Sequence, residues 1–523
     1  MDGRRETRHL LILIILLLVF HGINNYEVLR QSNSLRPPDS ATYFFETMQL
    51  ARTITHHRNG VTGIVRCLQR LWKPPLAYLT AVPFAVLAHS YTAAVMSNLV
   101  SLGILIFGTY GIGKALYGHE TGLLSAFLVT LLPIVFAHSR VFYLDLSLAA
   151  WVALSFSCFA KDRFDEWRHA LGAGLVMGAG MLAKQGFFLY LILMVCYFFL
   201  RRGARRGRRR TMGLVIALAI AFAVAAPWYL AGGPALWAKS YASYYIAAIV
   251  GIHKGPDYLT GLLFRHLLPV FFLMFIAACL DLIRRREFSL PTMAFAAIAA
   301  FSVSPNRADR FILPIFSLGA VILAAWPRSW QPQRRGWLIP LLAFFSVGQC
   351  LAVSHVRVAA WPTESQDHSR LVQLLLNETE YSNTGLLSVA QTGADLRGLT
   401  HRFAGDIRRE AGGGGFRLAC WHDTFCNEVL IELAARNRAW RMLRDSPDYR
   451  AGDRDTLDWC RRSIPEADFL ILDGGPDLFQ DRTETRRCLD AASRRFMPLR
   501  SAELPGGHFI RLYRNLRQKP AHG

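Results

Sequence analysis

Two aspartates and a handful of cations stand at the edges of long apolar stretches that otherwise carry almost no charge. Asp39 lies in Arg36-Pro37-Pro38-Asp39-Ser40-Ala41-Thr42-Tyr43, and Asp145 closes Ala137-His138-Ser139-Arg140-Val141-Phe142-Tyr143-Leu144-Asp145. Lysine is rare, seven residues against 52 arginines, yet Lys73, Lys184, Lys239 and Lys254 all fall on the side of the chain that holds these aspartates. His253 and Lys254, in Gly251-Ile252-His253-Lys254-Gly255-Pro256-Asp257-Tyr258, offer hydrogen-bond donors suited to a phosphate. Arg307 and Arg310, in Ser304-Pro305-Asn306-Arg307-Ala308-Asp309-Arg310, add bidentate forks with the same preference. A carboxylate takes the proton of an attacking hydroxyl or amine as general base. Cations stabilise the charge that builds on a departing phosphate. The chemistry open to this set is attack on a group activated by a lipid phosphate. Asp39 and Asp145 are its candidate catalytic carboxylates, and Lys73, His253, Lys254, Arg307 and Arg310 its candidate phosphate ligands.

Each residue also has a plainer reading. Pro-Asp-Ser before a helix is a good amino-terminal cap, and Lys73 ahead of Pro74-Pro75 suits a snorkelling side chain at an interface. A carboxylate entering an apolar segment is costly unless paired. Arg140 and Lys184 are both candidate partners for Asp145, and that pair alone would be structural. Trp237, Tyr241, Tyr244 and Tyr245 fit an aromatic belt without further function.

The elements that must position these residues follow from composition. Of 523 residues, 52% are hydrophobic and only 18% charged, against about 25% charged in an ordinary soluble domain. Mean hydropathy is +0.24. Disorder and a simple soluble enzyme are excluded. The net charge of +22 raises nucleic-acid binding, but its distribution points elsewhere. Apolar runs near 10–20, 91–113, 120–138, 144–160, 169–183, 187–200, 211–230, 261–283, 288–303, 311–326 and 337–355 predict about eleven spans. The first lacks a small-residue cleavage site and reads as an uncleaved span. With the amino terminus in the cytoplasm, the basic loops around 161–168, 201–210, 284–286 and 328–335 all fall inside. The stretch 74–89 is apolar, but counting it as a crossing would put the seven-arginine loop outside. It is therefore expected to be an extracytoplasmic or half-inserted helix.

The first outer loop, 24–90, is expected to carry two amphipathic helices in the membrane interface: Phe44, Phe45 and Met48 recur at helical spacing from Ala41, as do Leu68 and Leu71 from Ile64. Residues 1–355 thus read as a transmembrane catalytic domain and 356–523 as an extracytoplasmic soluble α/β domain. Within the latter, strands are expected near 385–390, 469–472 and 508–513, a helix near 430–443, and a loop at Gly412-Gly413-Gly414-Gly415. Cys158, Cys196, Cys279 and Cys350 read as small core residues of spans, and Cys67 stands alone in the first outer loop. Cys420, Cys426, Cys460 and Cys488 allow three pairings, Cys420 with Cys426 and Cys460 with Cys488 being the most local, with zinc as the rival reading.

In order along the chain, Pro38-Asp39 with Tyr43, Lys73-Pro74-Pro75-Leu76, Arg140 with Asp145, and Leu182-Ala183-Lys184-Gln185-Gly186 form a recognisable series. Pro227-Trp228-Tyr229, the 253–258 segment and Arg310-Phe311-Ile312-Leu313-Pro314 complete it. The series resembles the polytopic GT-C glycosyltransferases, in particular the bacterial group that includes lipid A aminoarabinose transferase and is related to protein O-mannosyltransferases. The resemblance covers roughly residues 8–355. It implies a GT-C transmembrane helix bundle in a bacterial inner membrane. It also implies transfer of a sugar, with inversion, from a polyprenyl-phosphate donor to a lipid, glycan or protein acceptor outside the cytoplasm.

By the same resemblance Asp39 is the base or orients the acceptor, and Lys73, His253 and Arg307 or Arg310 meet the lipid phosphate. Tyr43, Arg140, Asp145 and Lys184 are further site residues. Where the family often has Asp-Glu this chain has Asp39-Ser40. No cofactor is implied, and no ligand cluster argues for a metal. A transporter or flippase of lipid-linked sugars, without transferase activity, is the alternative. An envelope assembly protein with a degenerate site is a third.

Overall fold

The computed structural model describes residues 2–31, 38–55, 60–71, 73–200, 207–249, 258–303, 309–330, 332–355, 358–359, 390–391, 396–411, 417–421, 429, 433, 441–442, 467–474, 495–504 and 508–516. Helices dominate up to residue 355. They are α1 (Asp2–Gln31), α2 (Pro38–Thr55), α3 (Gly60–Arg70), α4 (Leu76–Ala88), α5 (Tyr91–Met96), α6 (Asn98–Tyr117), α7 (His119–Leu131) and α8 (Pro133–Ser139). They continue with α9 (Asp145–Lys161), α10 (Trp167–Ala183), α11 (Phe187–Leu200), α12 (Arg208–Ile249), α13 (Tyr258–Arg284), α14 (Ser289–Val303), α15 (Ile315–Ala325) and α16 (Pro332–His355).

Every one of the eleven apolar runs is helical among the described residues. By length and composition, three helices among the described residues are long and apolar enough to cross a membrane: Arg4–Arg30, Tyr91–Tyr117 and Arg208–Gly232. A fourth forms if α7 and α8 count as one span bent by 63°. The cause of that bend is Pro133. It cannot continue a helix and drives the preceding Leu132 to extended backbone, φ −67° and ψ 132°.

Helices in lipid gain little from hydrophobic burial against one another, so close packing over small residues holds them. At Gly108 of α6 an added Cβ would stand 2.5 Å from the backbone nitrogen of Leu154 in α9. The two backbones are in direct contact there.

A second apolar cluster packs around α2. It joins Tyr43, Phe44 and Met48 of α2 to Tyr78 and Ala81 of α4 and Tyr91 of α5. Both helices expected in this segment form, with different characters. Along α3, exposed Arg66 faces away from the cluster that takes Leu71. In contrast α2 is buried on most of its surface, including Ser40, Glu46 and Thr47, so it is a wall of the fold. The stretch 74–89 forms α4, whose 13 residues rise about 20 Å, short of the ~30 Å hydrocarbon core.

Beyond 355 a five-stranded sheet runs in the order β4 (Arg441–Met442), β3 (Arg417–Trp421), β5 (Phe469–Gly474), β7 (His508–Asn515), β6 (Phe496–Leu504). A short parallel pair, β1 (Val358–Ala359) and β2 (Ala390–Gln391), stands apart from it. The pairs involving β3 are parallel and those involving β7 antiparallel. Helix α17 (Leu396–Ala411) packs Phe403 and Ile407 on this sheet, and Arg500 and Arg514 bridge to its Asp406 and Glu410.

Two of the expected strands are β5 and β7, and β2 lies at the edge of the third. The helix expected over 430–443 is corrected at its end, because Arg441–Met442 pairs with β3 instead. The glycine run and the cysteine pairings lie outside the described residues or side chains. Cys279 and Cys350 are buried as expected, whereas Cys196 is exposed on α11.

Candidate functional site

Asp39 sits in the first turn of α2, where the unpaired N–H groups of a helix favour a carboxylate. Its Oδ2 accepts a 2.5 Å hydrogen bond from Nη2 of Arg310. Arg310 belongs to the 3-10 turn Asp309–Ile312, which leads into α15. Tyr190 of α11 fixes that turn by donating its hydroxyl to the Phe311 carbonyl at 2.6 Å. The guanidinium also lies 4.8 Å from the centre of the Tyr143 ring. Arg310 is therefore held between an aromatic ring and a carboxylate, contacts that suit a guanidinium.

Lys184 breaks α10 from α11 in extended backbone, φ −164°. Its Nζ donates to Oδ1 of Asp145 at 2.5 Å and lies 5.0 Å from the Phe311 ring centre. Of the two partners weighed for Asp145, the structure selects Lys184. Arg140 turns elsewhere: its Nε donates to Oδ1 of Asn25 at 3.1 Å, and its guanidinium stacks over Phe136 at 4.9 Å. With Ser139, which accepts from Asn25 Nδ2 at 2.9 Å, it ties α1 to the end of α8. Arg140 does not join the Asp39 cluster.

Lys73, between α3 and α4, is half-buried within electrostatic reach of Asp39, Asp145, Lys184 and Arg310. Burial first, and then the Lys184 cation, bring its ammonium down to about 8. Tyr43 lies one helical turn after Asp39. It packs edge-on to Tyr78 and Tyr143, with ring centres at 6.0 and 6.5 Å. Burial, followed by the Asp39 carboxylate, pushes its hydroxyl well above the usual phenol range, so Tyr43 remains a neutral donor.

Side-chain exposure orders the cluster from mouth to floor: Asp39 47%, Arg310 22%, Lys184 9%, Asp145 1%. Asp39 is open to an approaching group, and Asp145 is sealed beneath Lys184. Within this cluster, Nε of Arg310 and Oδ2 of Asp145 are buried without a hydrogen-bond partner. His253, Lys254 and Arg307 lie outside the described residues. No group of three or more His, Cys, Asp or Glu that could hold a metal gathers among the described residues.

Sequence reasoning left out Tyr143, Phe311 and Glu46. The first two stood inside the quoted motifs; Phe311 directly follows Arg310, whose guanidinium lies 5.8 Å from its ring centre, so an aromatic next to a cation was a signal there, whereas Tyr143 meets Arg310 only through the fold. Glu46 lies two turns from Asp39 on α2 and accepts the Tyr78 hydroxyl at 2.6 Å. An acid two helical turns after Asp39 was its mark in the sequence. Ser40, at the place of the family's second acid, is fully buried and accepts from the Tyr91 hydroxyl at 3.2 Å.

Residues 73–230 match the family model described as dolichyl-phosphate-mannose-protein mannosyltransferase. No curated protein matches the chain by sequence. The structure is similar to the crystal structure of ArnT from Cupriavidus metallidurans bound to undecaprenyl phosphate, with TM-score 0.59 and 13% identity over 95% of this chain and 97% of that one. It is also similar to the apo state of that protein, with TM-score 0.58, 13% identity and the same coverage. The archaeal oligosaccharyltransferase AglB from Archaeoglobus fulgidus, in complex with an inhibitory peptide and a dolichol-phosphate, aligns with TM-score 0.53 and 9% identity over 97% of this chain and 75% of that one. The chain has the GT-C glycosyltransferase fold and is a multi-pass membrane protein. The resemblance drawn from its motifs holds at that level.

Proposed function

We propose that this GT-C chain transfers a sugar, with inversion, from a polyprenyl-phosphate donor to an acceptor outside the cytoplasm, with Asp39 as general base. The observation that carries the reading is the Arg310–Asp39 contact at the open end of a cluster that also holds Lys73 and Lys184. The acceptor hydroxyl or amine attacks the anomeric carbon opposite the phosphate. The bond from that carbon to the phosphate oxygen breaks, its electron pair stays on the phosphate, and the acceptor's proton passes to Asp39. Lys73 and Arg310 hold the departing phosphate, together with His253, Lys254 and Arg307. Asp145 acts through Lys184 as a positioning residue, because it is covered by that ammonium.

One consequence concerns timing. Arg310 bonds Asp39 without substrate, so an incoming phosphate competes for the same guanidinium and frees the carboxylate as it binds. The base then becomes available when the donor is in place.

The proposed orientation follows the basic loops: amino terminus and positive loops in the cytoplasm, site and residues 356–523 outside, with about eleven crossings of a bacterial inner membrane. Purified protein supplied with a polyprenyl-phosphate sugar tests the reading. Consumption of the donor that Asp39→Asn abolishes supports transfer, whereas movement of intact donor across vesicles without consumption would leave the flippase reading in its place.

A further inference from the structure

The end of the bundle away from Asp39 holds a cavity of about 660 Å³ between α10 and α12. Its α10 wall is Trp167, Ala170 and Leu171, and its α12 wall is Met212, Ile216 and Ile220. Arg208 and Arg209 stand at its rim beside Asp165.

The walls are fixed by backbone contact. A Cβ at Gly174 of α10 would lie 2.7 Å from the Ala217 carbonyl oxygen, and one at Gly213 would lie 1.7 Å from the Phe164 carbonyl oxygen. The first turns of α12 are thus pinned against the connection before α10, and the groove between them is preformed.

Its charge is unbalanced. Arg210 is committed to Asp162 and Asp165, at 3.6 and 3.5 Å, which also accounts for the one acid at the rim. Arg208 and Arg209 have no ion-pair partner among the described residues. Arg208, Met212, Ile216 and Ile220 recur every four residues and share one face of α12. From Arg208 to Ile220 the helix rises about 18 Å, close to the ~15 Å hydrocarbon depth of one leaflet. Trp167, 69% exposed, marks the headgroup level at which tryptophan collects, and Arg168 stacks over it at 5.5 Å.

We infer that this groove binds an anionic phospholipid of the leaflet on the basic side, cytoplasmic in the orientation proposed above. Its phosphate meets Arg208 and Arg209, and one acyl chain lies along Leu171, Ile216 and Ile220. Two uncommitted guanidiniums above an apolar channel of leaflet depth match a charged headgroup with its chain. A zwitterionic lipid carries its own ammonium and gains less.

The test uses the full chain in detergent, with native mass spectrometry and thermal melts in phosphatidylglycerol or phosphatidylcholine. The wild-type protein is expected to retain phosphatidylglycerol selectively and to melt higher in its presence. R208Q/R209Q should bind it about thirtyfold more weakly, about fivefold per arginine, with its lipid-free melting unchanged. I216W, which fills the groove and keeps the charge, should lose the adduct too. R4Q/R5Q, which removes two exposed arginines from the start of α1, should keep it. Unchanged binding in R208Q/R209Q, equal loss in R4Q/R5Q, or a preference of the groove for undecaprenyl phosphate would overturn the proposal. The readout needs no turnover, so its failure leaves the transferase reading standing.

Discussion

Asp39 combines accessibility with a partner that a phosphate can take away, and this predicts how its variants behave. Asp39→Asn should lower turnover by about 10²–10⁴, the usual contribution of a positioned base, while donor KM falls, because the phosphate no longer competes with a carboxylate for Arg310. In the proposed mechanism Lys73 meets phosphate only as a cation, and burial lowers its ammonium to about 8. Donor KM should therefore be flat below pH 7 and rise on the alkaline side, where the ammonium is lost. Lys73→Arg should flatten that profile, since a guanidinium stays charged there; a wild-type KM independent of pH from 6 to 9 would exclude Lys73 as a phosphate ligand.

The Asp145–Lys184 pair is buried, so removing one partner strands a charge. Asp145→Asn or Lys184→Met should each cost about 3–5 kcal/mol. The double variant Asp145→Leu with Lys184→Met should cost less than either single change, as read by thermal melts. The residue types of this cluster were legible in the sequence. The choice of Lys184 over Arg140 as partner for Asp145 was not, because both precede or follow apolar runs at the same depth and only packing separates them.

Among the elements, α6 and α9 depend on a contact that leaves no room for a methyl group. Gly108→Ala should lower the melting temperature by an overpacking cost of about 1–3 kcal/mol. Gly172→Ala, where nothing lies within 4 Å of the added carbon, should be neutral or stabilising, since alanine favours a helix over glycine by about 1 kcal/mol. Helix positions were legible from apolar runs, but the break at Pro133 was not: it falls inside 120–138, which reads as one span and is bent by 63° in the structure. Nor was the burial of α2: its spacing of Phe44 and Met48 is that of any half-buried helix, and its polar residues meet α4 and α5 through Glu46, Tyr78, Ser40 and Tyr91. In the sheet, β5 and β7 announced themselves as apolar runs. The two-residue β4 did not, since its extended form depends on pairing with β3.

For the molecule as a whole, the proposed orientation makes a plain prediction. Alkaline phosphatase, which needs an oxidising compartment, should be active when fused after Gly523 and inactive when fused within the 201–206 loop; the reverse pattern would invert the topology. The excess of cations at net charge +22 is on this view a topology signal, and the exceptions to it form the site.

What the sequence determined by itself is local and additive. Apolar length sets where helices run, and lysine and arginine placement sets the expected sidedness. Each depends on neighbours within a few turns of chain. Only the tertiary structure decided which charges meet. Asp39 and Arg310 are 271 positions apart and bond at 2.5 Å, and Asp145 and Lys184 are 39 apart. Those encounters depend on how the helices pack and on the sealing of Asp145 beneath an ammonium while Asp39 stays open. Local spacing carries no information about either.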